Sequence, residues 1–180
     1  MTARERILHA VLRVIGTDGV AGVTNRRVAR EAETSLGTLT YHFESQRELL
    51  REAMLLFVAE ESARLAALAD AHPGTSLAEA AALVERVAVD TRFGHEQIAP
   101  LELYIQAGRD PSLRDAAASC FEAYDRIAIT VLTRLGVPSP DRLAGPVVAL
   151  LTGLQLRRLA TGEPGATTIA DAVTMLVGQQ

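Results

Sequence analysis

The chain has 180 residues, of which 48% are hydrophobic, 22% charged and 4% aromatic. That length suits one or two domains with a sizeable core, and no apolar run reaches the roughly 18 residues that a membrane-spanning helix needs. The net charge of −4 argues against a protein that coats nucleic acid non-specifically, and the single cysteine excludes a disulfide framework or a cysteine-rich zinc site.

The N-terminal segment predicts an amphipathic helix. Apolar residues from Ile7 to Ile15 recur on one helical stripe, and the glycine-containing stretch 16–22 ends it. Thr2 and Glu5 have the spacing of a capping box at the start of this helix. No small-residue cleavage site follows the apolar stretch, so it is not predicted to be a signal peptide, and we expect a cytoplasmic protein.

The rest of the chain also predicts helices, so we expect an all-α fold of about nine helices. Thr24 can cap a second helix over 25–32, and Ser35 can cap a third over 36–42. The remaining helices are predicted over 46–70, 76–92, 95–107 with a kink or restart near Pro100, 111–135 with Asp110 as its N-cap, 139–160 and 168–177.

The stretch 24–43 has the spacing of a helix-turn-helix, in which two short helices are joined by a three-residue turn. Val28 on the first helix can face Leu36 and Leu39 on the second. Such a motif lays its second helix in the major groove of DNA. The alternative interpretation is a generic pair of short core helices.

The second helix of this motif carries no formal charge. Its hydroxyl and imidazole groups suit hydrogen bonds to base edges and phosphates. Arg26, Arg27 and Arg30 lie on the preceding helix, where the phosphates of a bound duplex are expected. These residues together predict a DNA-contacting surface.

The same stretch resembles the TetR family of transcriptional regulators over about residues 5–50. The resemblance is carried by Val23-Thr24, Val28-Ala29-Arg30-Glu31-Ala32, Gly37-Thr38-Leu39, Tyr41-His42-Phe43, Ser45 and Glu48-Leu49-Leu50. In the second half of the chain, the apolar segment 147–154 is similar to the penultimate helix of such proteins.

Three residues depart from the family pattern. Glu33 stands at the corner of the motif, where the family usually has glycine and where a left-handed conformation costs a non-glycine residue about 1 kcal/mol, a cost that a rearranged corner would avoid. Thr40 replaces a second aromatic residue. Gln46 replaces a lysine that bonds phosphate, although Gln46 can donate a neutral hydrogen bond and Arg47 can supply the charge.

The resemblance implies a homodimer with a DNA-binding domain over 1–45 and a ligand-binding and dimerisation domain over 46–180. It implies a repressor that leaves a palindromic DNA operator when a small-molecule effector binds. No cofactor or membrane partner is expected, and the four histidines lack the spacing of metal ligands, so no metal site is expected either. The predicted DNA-contacting residues are Thr24, Arg26, Arg27, Ser35, Gly37, Thr38, Thr40, Tyr41, His42, Gln46 and Arg47.

Two further sets of residues are predicted for the second domain, and plain core packing is the alternative for each of them. The predicted effector contacts are Phe57, Glu61, Phe93, Tyr104, Phe121 and Tyr124. The predicted dimer contacts recur at helical spacing on the last two helices and are Leu143, Val147, Leu150, Leu154, Ile169, Val173 and Leu176.

Two other function classes stay open at this stage. An enzyme would need convergent acid, base or nucleophilic groups, and the sequence has no Ser-His-Asp arrangement, paired carboxylate motif, phosphate loop or zinc signature. A partner-binding or ligand-binding module that has lost DNA binding is favoured by Glu33, Glu44 and Gln46 around the motif.

Overall fold

The computed structural model describes residues 1–71, 76, 79, 95–162 and 169–177, with the backbone alone at 95–97, 169–170 and 177. Over these residues the chain forms eight α-helices and two short 3₁₀ helices, with no strand. The α-helices are α1 (Ala3–Asp18), α2 (Asn25–Glu31), α3 (Leu36–His42), α4 (Gln46–Ala71), α5 (His95–Arg109), α6 (Arg114–Arg134), α7 (Pro140–Thr161) and α8 (Ile169–Val177). The prediction of an all-α fold is confirmed.

Helix α1 begins and ends as the sequence predicts. Thr2 Oγ1 accepts a hydrogen bond from Glu5 N at 3.2 Å, while Thr2 N donates to the Glu5 carboxylate at 2.7 Å. This capping box holds the pKa of Glu5 below its usual range. Gly19 ends the helix with φ 71°, a left-handed value that glycine adopts without a side-chain clash.

Most other helix bounds agree with the prediction to within about two residues, and the differences have local causes. Helix α5 runs continuously through Pro100 rather than restarting there. Asp110 is an N-cap as predicted, but the residues it caps form the 3₁₀ helix Pro111–Leu113, so the helix predicted from Pro111 begins as a tighter turn before α6. The helix predicted over 76–92 lies outside the described residues, apart from Ser76 and Glu79.

The described residues pack into two compact units. The first, called here the motif unit, consists of Met1–Glu60 and Phe93–Cys120. The second, called the distal unit, consists of Glu61–Arg92 and Phe121–Gln180. The division predicted from the sequence, 1–45 and 46–180, concerns function and stays a prediction.

The core of the motif unit is centred on α1, which packs against α2 and α5. Ile7, Val11 and Ile15 of α1 are fully buried, as the helical stripe predicts, and Leu103 of α5 is buried as well. In the distal unit, buried residues of α6, α7 and α8 form a separate apolar cluster of Leu132, Leu143, Val147 and Val173.

Candidate nucleic-acid interface

Helices α2 and α3 form the predicted helix-turn-helix within the motif unit. Thr24 caps α2 by accepting from Arg27 N at 3.2 Å, and Ser35 caps α3 by accepting from Thr38 N at 3.0 Å. Val28 and Leu39 are buried, as predicted for the helix contact. The prediction that Leu36 also faces α2 is wrong, because its side chain is 45% exposed.

The corner of the motif keeps the left-handed conformation despite lacking glycine. Glu33 has φ 50°. Glu33 N donates to Arg30 O at 3.2 Å and Thr34 N donates to Ala29 O at 2.9 Å, which is the hydrogen-bond pattern of a Schellman helix end. The corner is therefore strained rather than rearranged, since an L side chain at this φ is disfavoured.

Helix α3 presents most of its predicted contact residues to solvent. Ser35, Gly37, Thr40 and Tyr41 are exposed. Tyr41 is 86% exposed, with its ring edge-on to the half-buried His42 at 5.3 Å between centroids. Phe43, which follows, is buried in the core as predicted.

The three arginines of α2 have different surroundings. Arg27 Nε contacts Asp18 Oδ2 at 3.1 Å and its Nη1 contacts Glu31 Oε2 at 2.7 Å, and these bonds, that to Glu31 first, raise its pKa. Arg26 and Arg30 are exposed and form no ion pair with the residues that the structure describes. Arg27 thus joins α2 to the end of α1, a structural role that the sequence did not predict.

The first turn of α4 is anchored to the motif unit by two side chains. Gln46 Nε2 donates to Val23 O at 2.6 Å, next to the start of α2. Arg47 Nε contacts Asp110 Oδ2 at 3.1 Å, although the Arg47 side chain is 74% exposed. The pKa of Asp110 is lowered, chiefly by hydrogen bonds from Ser112 and further by Arg47.

The residues predicted for the effector site are divided between the two units. Phe57 and Tyr104 belong to the motif unit, whereas Glu61, Phe121 and Tyr124 belong to the distal unit, and all five are half-buried. Glu61 accepts two hydrogen bonds from Arg64, at 2.8 and 2.6 Å. Phe93 lies outside the described residues.

The distal unit contains a groove of about 420 Å³ between α4 and α6. Its walls are mostly small or aliphatic, and its charged lining residues are Arg126 and the ion pair between Asp70 and Arg134, at 2.7 Å. Ser62 Oγ is buried in its lining and has no hydrogen-bond partner among the described residues. None of the five described residues predicted for the effector lines this groove, so the predicted effector contacts remain a prediction.

The residues predicted for the dimer interface lie on α7 and α8. Leu143, Val147 and Val173 are buried within the protomer, and Leu150, Leu154 and Leu176 are half-buried against them. The side chain of Ile169 is not described. Leu156 on α7 and Met175 on α8, which were not predicted as contact residues, are more than half exposed.

The part of the chain that the structure describes shows no further chemical site of the kinds considered from the sequence. No cluster of three or more His, Cys, Asp or Glu side chains is placed to hold a metal ion there. No described helix combines the length and the apolar character needed to cross a membrane. Burial raises the pKa of the Cys120 thiol to about 11, which disfavours the reactive thiolate.

The sequence matches two parts of one protein family. Residues 7–53 match the bacterial regulatory proteins of the tetR family, and residues 71–179 match the tetracyclin repressor-like C-terminal domain. The HTH-type transcriptional regulator BetI of Paraburkholderia xenovorans is 28% identical over 179 residues, which cover 93% of this chain and 87% of the relative. The HTH-type transcriptional regulator PksA of Bacillus subtilis is 45% identical over 53 residues, and the match spans about a quarter (26%) of its length.

Solved structures share the whole fold. The multidrug binding protein EbrR, crystallised with ethidium, is 31% identical with a TM-score of 0.78, over 98% of this chain and 99% of that one. A TetR-family member from Streptomyces coelicolor A3 is 31% identical with a TM-score of 0.77, over the same shares of the two chains. Since the two family matches together span most of its length, the chain belongs to the TetR family of DNA-binding transcriptional regulators.

Proposed function

We propose that the protein is a homodimeric repressor that binds a palindromic operator and leaves it when a small molecule binds. The observation that carries the proposal is the solvent-facing surface of α3, with Thr40 and Tyr41 exposed beside the exposed Arg26 and Arg30 of α2. This combination supplies groups for base edges and cations for phosphates. A protein with this role works in the cytoplasm, where bacterial DNA lies.

On the operator, α3 enters the major groove and the arginines contact the backbone. Arg26 is available for phosphate, while Arg47 reaches phosphate by exchanging its contact with Asp110. Arg27 acts indirectly, because its ion pair with Asp18 joins α2 to the end of α1. Two copies related by a two-fold axis read two half-sites one or more helical turns apart, which explains the expected palindrome.

Release requires that the effector favour a protomer arrangement that does not fit the operator. Helix α4 runs from Gln46, bonded to the motif, to Asp70 at the groove of the distal unit. A molecule that binds at this groove and moves α4 alters the spacing of the two α3 helices. Coupling of this kind amounts to about 1–3 kcal/mol in typical allosteric proteins.

We propose a lipophilic cation as the effector. The support for this class is the set of ligands of a relative, since the groove itself is lined by Arg126 and Arg134 against the single acid Asp70. EbrR, which shares the fold, was crystallised with ethidium, proflavin and malachite green.

The enzyme alternative has no comparable support, and we assign no catalytic activity to the protein.

The test uses the full chain and a duplex selected from a random-sequence library. We expect a palindromic consensus, and we expect Tyr41→Ala and Thr40→Ala to weaken binding about ten-fold or more, since a base contact is worth about 1–3 kcal/mol. Ile105→Ala, which trims an exposed residue of α5, is the matched control and should bind as the parent does. Fluorescence anisotropy at fixed salt measures each affinity.

The effector arm of this experiment titrates the protein–duplex complex with tetraphenylphosphonium, a lipophilic cation that is not a planar intercalator. Loss of anisotropy with the parent protein supports the proposed release. Selection of no duplex at all would instead favour a module without DNA binding, and an unchanged complex at saturating cation would remove this effector class.

A further inference from the structure

We propose that α3 reads thymine methyl groups, so that each operator half-site presents T·A pairs to Leu36 and to the methyl group of Thr40. The inference rests on the proposed function, because it assumes that α3 occupies the major groove. The inference names the chemical group that the helix recognises in the groove. It is argued from the hydrogen bonds that the hydroxyl groups of α3 already make within the protein.

The hydroxyl groups of α3 bond mainly within the protein. Thr40 Oγ1 donates to Leu36 O at 3.1 Å and Gly37 O at 3.2 Å, so its single proton points to the backbone. Ser35 Oγ and Thr38 Oγ1 bond to each other at 2.8 Å, and Ser35 Oγ also accepts from Thr38 N. The sequence predicted hydrogen bonds from these hydroxyl groups to DNA, whereas in the structure they bond within the protein. The exposed Thr40 also carries a methyl group that can contact DNA.

Leu36 provides a second apolar group on the same helix. Its side chain is 45% exposed at the first position of α3, although a leucine gains about 25 cal/mol for each Å² that it buries. The cost of this exposure is recovered if the side chain packs against a partner. In the major groove, the apolar feature of a base pair is the thymine C5 methyl group.

Gly37 indicates that the partner comes close to the helix backbone. A Cβ built at this exposed glycine meets only Ser35 Oγ, at an ordinary 3.7 Å, so the protein itself has room for a side chain. Glycine inside a helix costs roughly 0.5–1 kcal/mol relative to alanine. A DNA surface that approaches the helix between Leu36 and Thr40 explains why a residue without a side chain stands at position 37.

The same helix lacks the side chains that read other bases. No Arg, Lys, Asn or Gln stands between residues 35 and 42, and these are the residues that contact guanine or adenine with two hydrogen bonds. Tyr41 and His42 remain for hydrogen bonds to bases or phosphates. The apolar groups therefore point to T·A pairs as the main element of specificity.

The experiment replaces thymines of the selected duplex one at a time by deoxyuridine, which pairs identically but lacks the methyl group. We expect at least one replacement in each half-site to weaken binding about four-fold, since burying one methyl-sized group contributes roughly that factor. The same replacement between the half-sites is the matched control and should have no effect.

Protein variants identify which side chain makes the contact. Thr40→Val keeps the methyl and removes the hydroxyl, so it should retain the thymine preference. Thr40→Ser keeps the hydroxyl and removes the methyl, so it should bind thymine and deoxyuridine duplexes equally at one position. Leu36→Ala should bind thymine and deoxyuridine duplexes equally at a second position. Because Leu36 is exposed, this change should not unfold the protein, and circular dichroism checks that the helix content is unchanged.

The outcomes separate the inference from the proposed function. Selection of half-sites that contain only G·C pairs, or equal affinity for thymine and deoxyuridine at every position, overturns the inference and leaves the repressor intact. Loss of the thymine preference in Thr40→Val but not in Thr40→Ser also overturns the inference, because the hydroxyl of Thr40 rather than its methyl group would then recognise thymine. Failure to select any duplex overturns both.

Discussion

At the scale of single residues, capping and turn positions are the features that the sequence predicts best. Thr2, Thr24 and Ser35 each accept the backbone hydrogen bond expected of an N-cap. Such contacts depend on residues three apart, so the local sequence determines them. Leu36 was mispredicted because side chains lean toward the N-terminus of a helix, and at the first position Leu36 projects beyond the packed surface.

The strained corner gives a direct prediction at this scale. Glu33→Gly should raise the free energy of unfolding by about 0.5–1 kcal/mol, because glycine adopts φ 50° without the clash that Glu33 bears. Urea denaturation measures the change. Thr34→Gly, at a neighbouring residue without a positive φ, should lower stability instead, and equal shifts in both variants would refute strain at the corner.

At the scale of elements, the sequence predicts where helices lie but not how they are tied together. The helix bounds follow from caps and apolar spacing. Two ion pairs join α1 to α2 across 18 and nine residues of sequence, since Arg13 contacts the Glu31 carboxylate at 2.9 Å and Arg27 contacts Asp18 at 3.1 Å. A third pair, between Arg27 and Glu31, lies within α2. Arg27 was consequently predicted to contact DNA, whereas the structure shows that its ion pair with Asp18 joins α2 to α1.

The pH dependence of this network is a prediction about α1 and α2. Hydrogen bonds from Arg13 and then Arg27 lower the pKa of Glu31 from 4.5, so its stabilising effect is complete above that value. The effect is lost as the pH falls through the lower folded-state pKa. At pH 7, Glu31→Gln should therefore be less stable by about 1 kcal/mol or less, given the exposed surroundings.

Thermal unfolding of both proteins from pH 7 to pH 2 checks this prediction. The stability difference between the parent and Glu31→Gln should shrink as the solution becomes acidic. Glu44→Gln, a change to an exposed carboxylate beside the motif, is the control and should follow the parent more closely. A difference that stays constant across the whole range would show that the charge of Glu31 contributes nothing.

At the scale of the whole molecule, the family was predictable while the effector site was not. The helix-turn-helix is a short continuous segment in which residue types and spacing are constrained by the turn geometry and by contact with DNA. An effector site is assembled from distant segments, so its lining does not follow from local spacing. Phe57 and Phe121, both predicted on aromatic character alone, lie in different packing units, and the groove between α4 and α6 is lined by other residues.

Dimerisation also belongs to this scale and stays a proposal. The apolar repeats on α7 and α8 were interpreted as an interface, yet Leu143 and Val173 are already buried within one protomer. The same apolar repeat is expected whether the helix packs against another helix of its own chain or against a second copy of the protein. The exposed Leu156 and Met175 show that these helices also carry apolar surface toward solvent.

The most direct measurement of the central claim is a hydroxyl-radical footprint of the full chain on the selected duplex. If two copies each place α3 in the major groove, two symmetric protected patches should appear with their centres about 10 base pairs or a multiple apart. Tyr41→Ala should lose both patches at the same protein concentration. A single asymmetric patch, or protection that survives in Tyr41→Ala, would contradict the account.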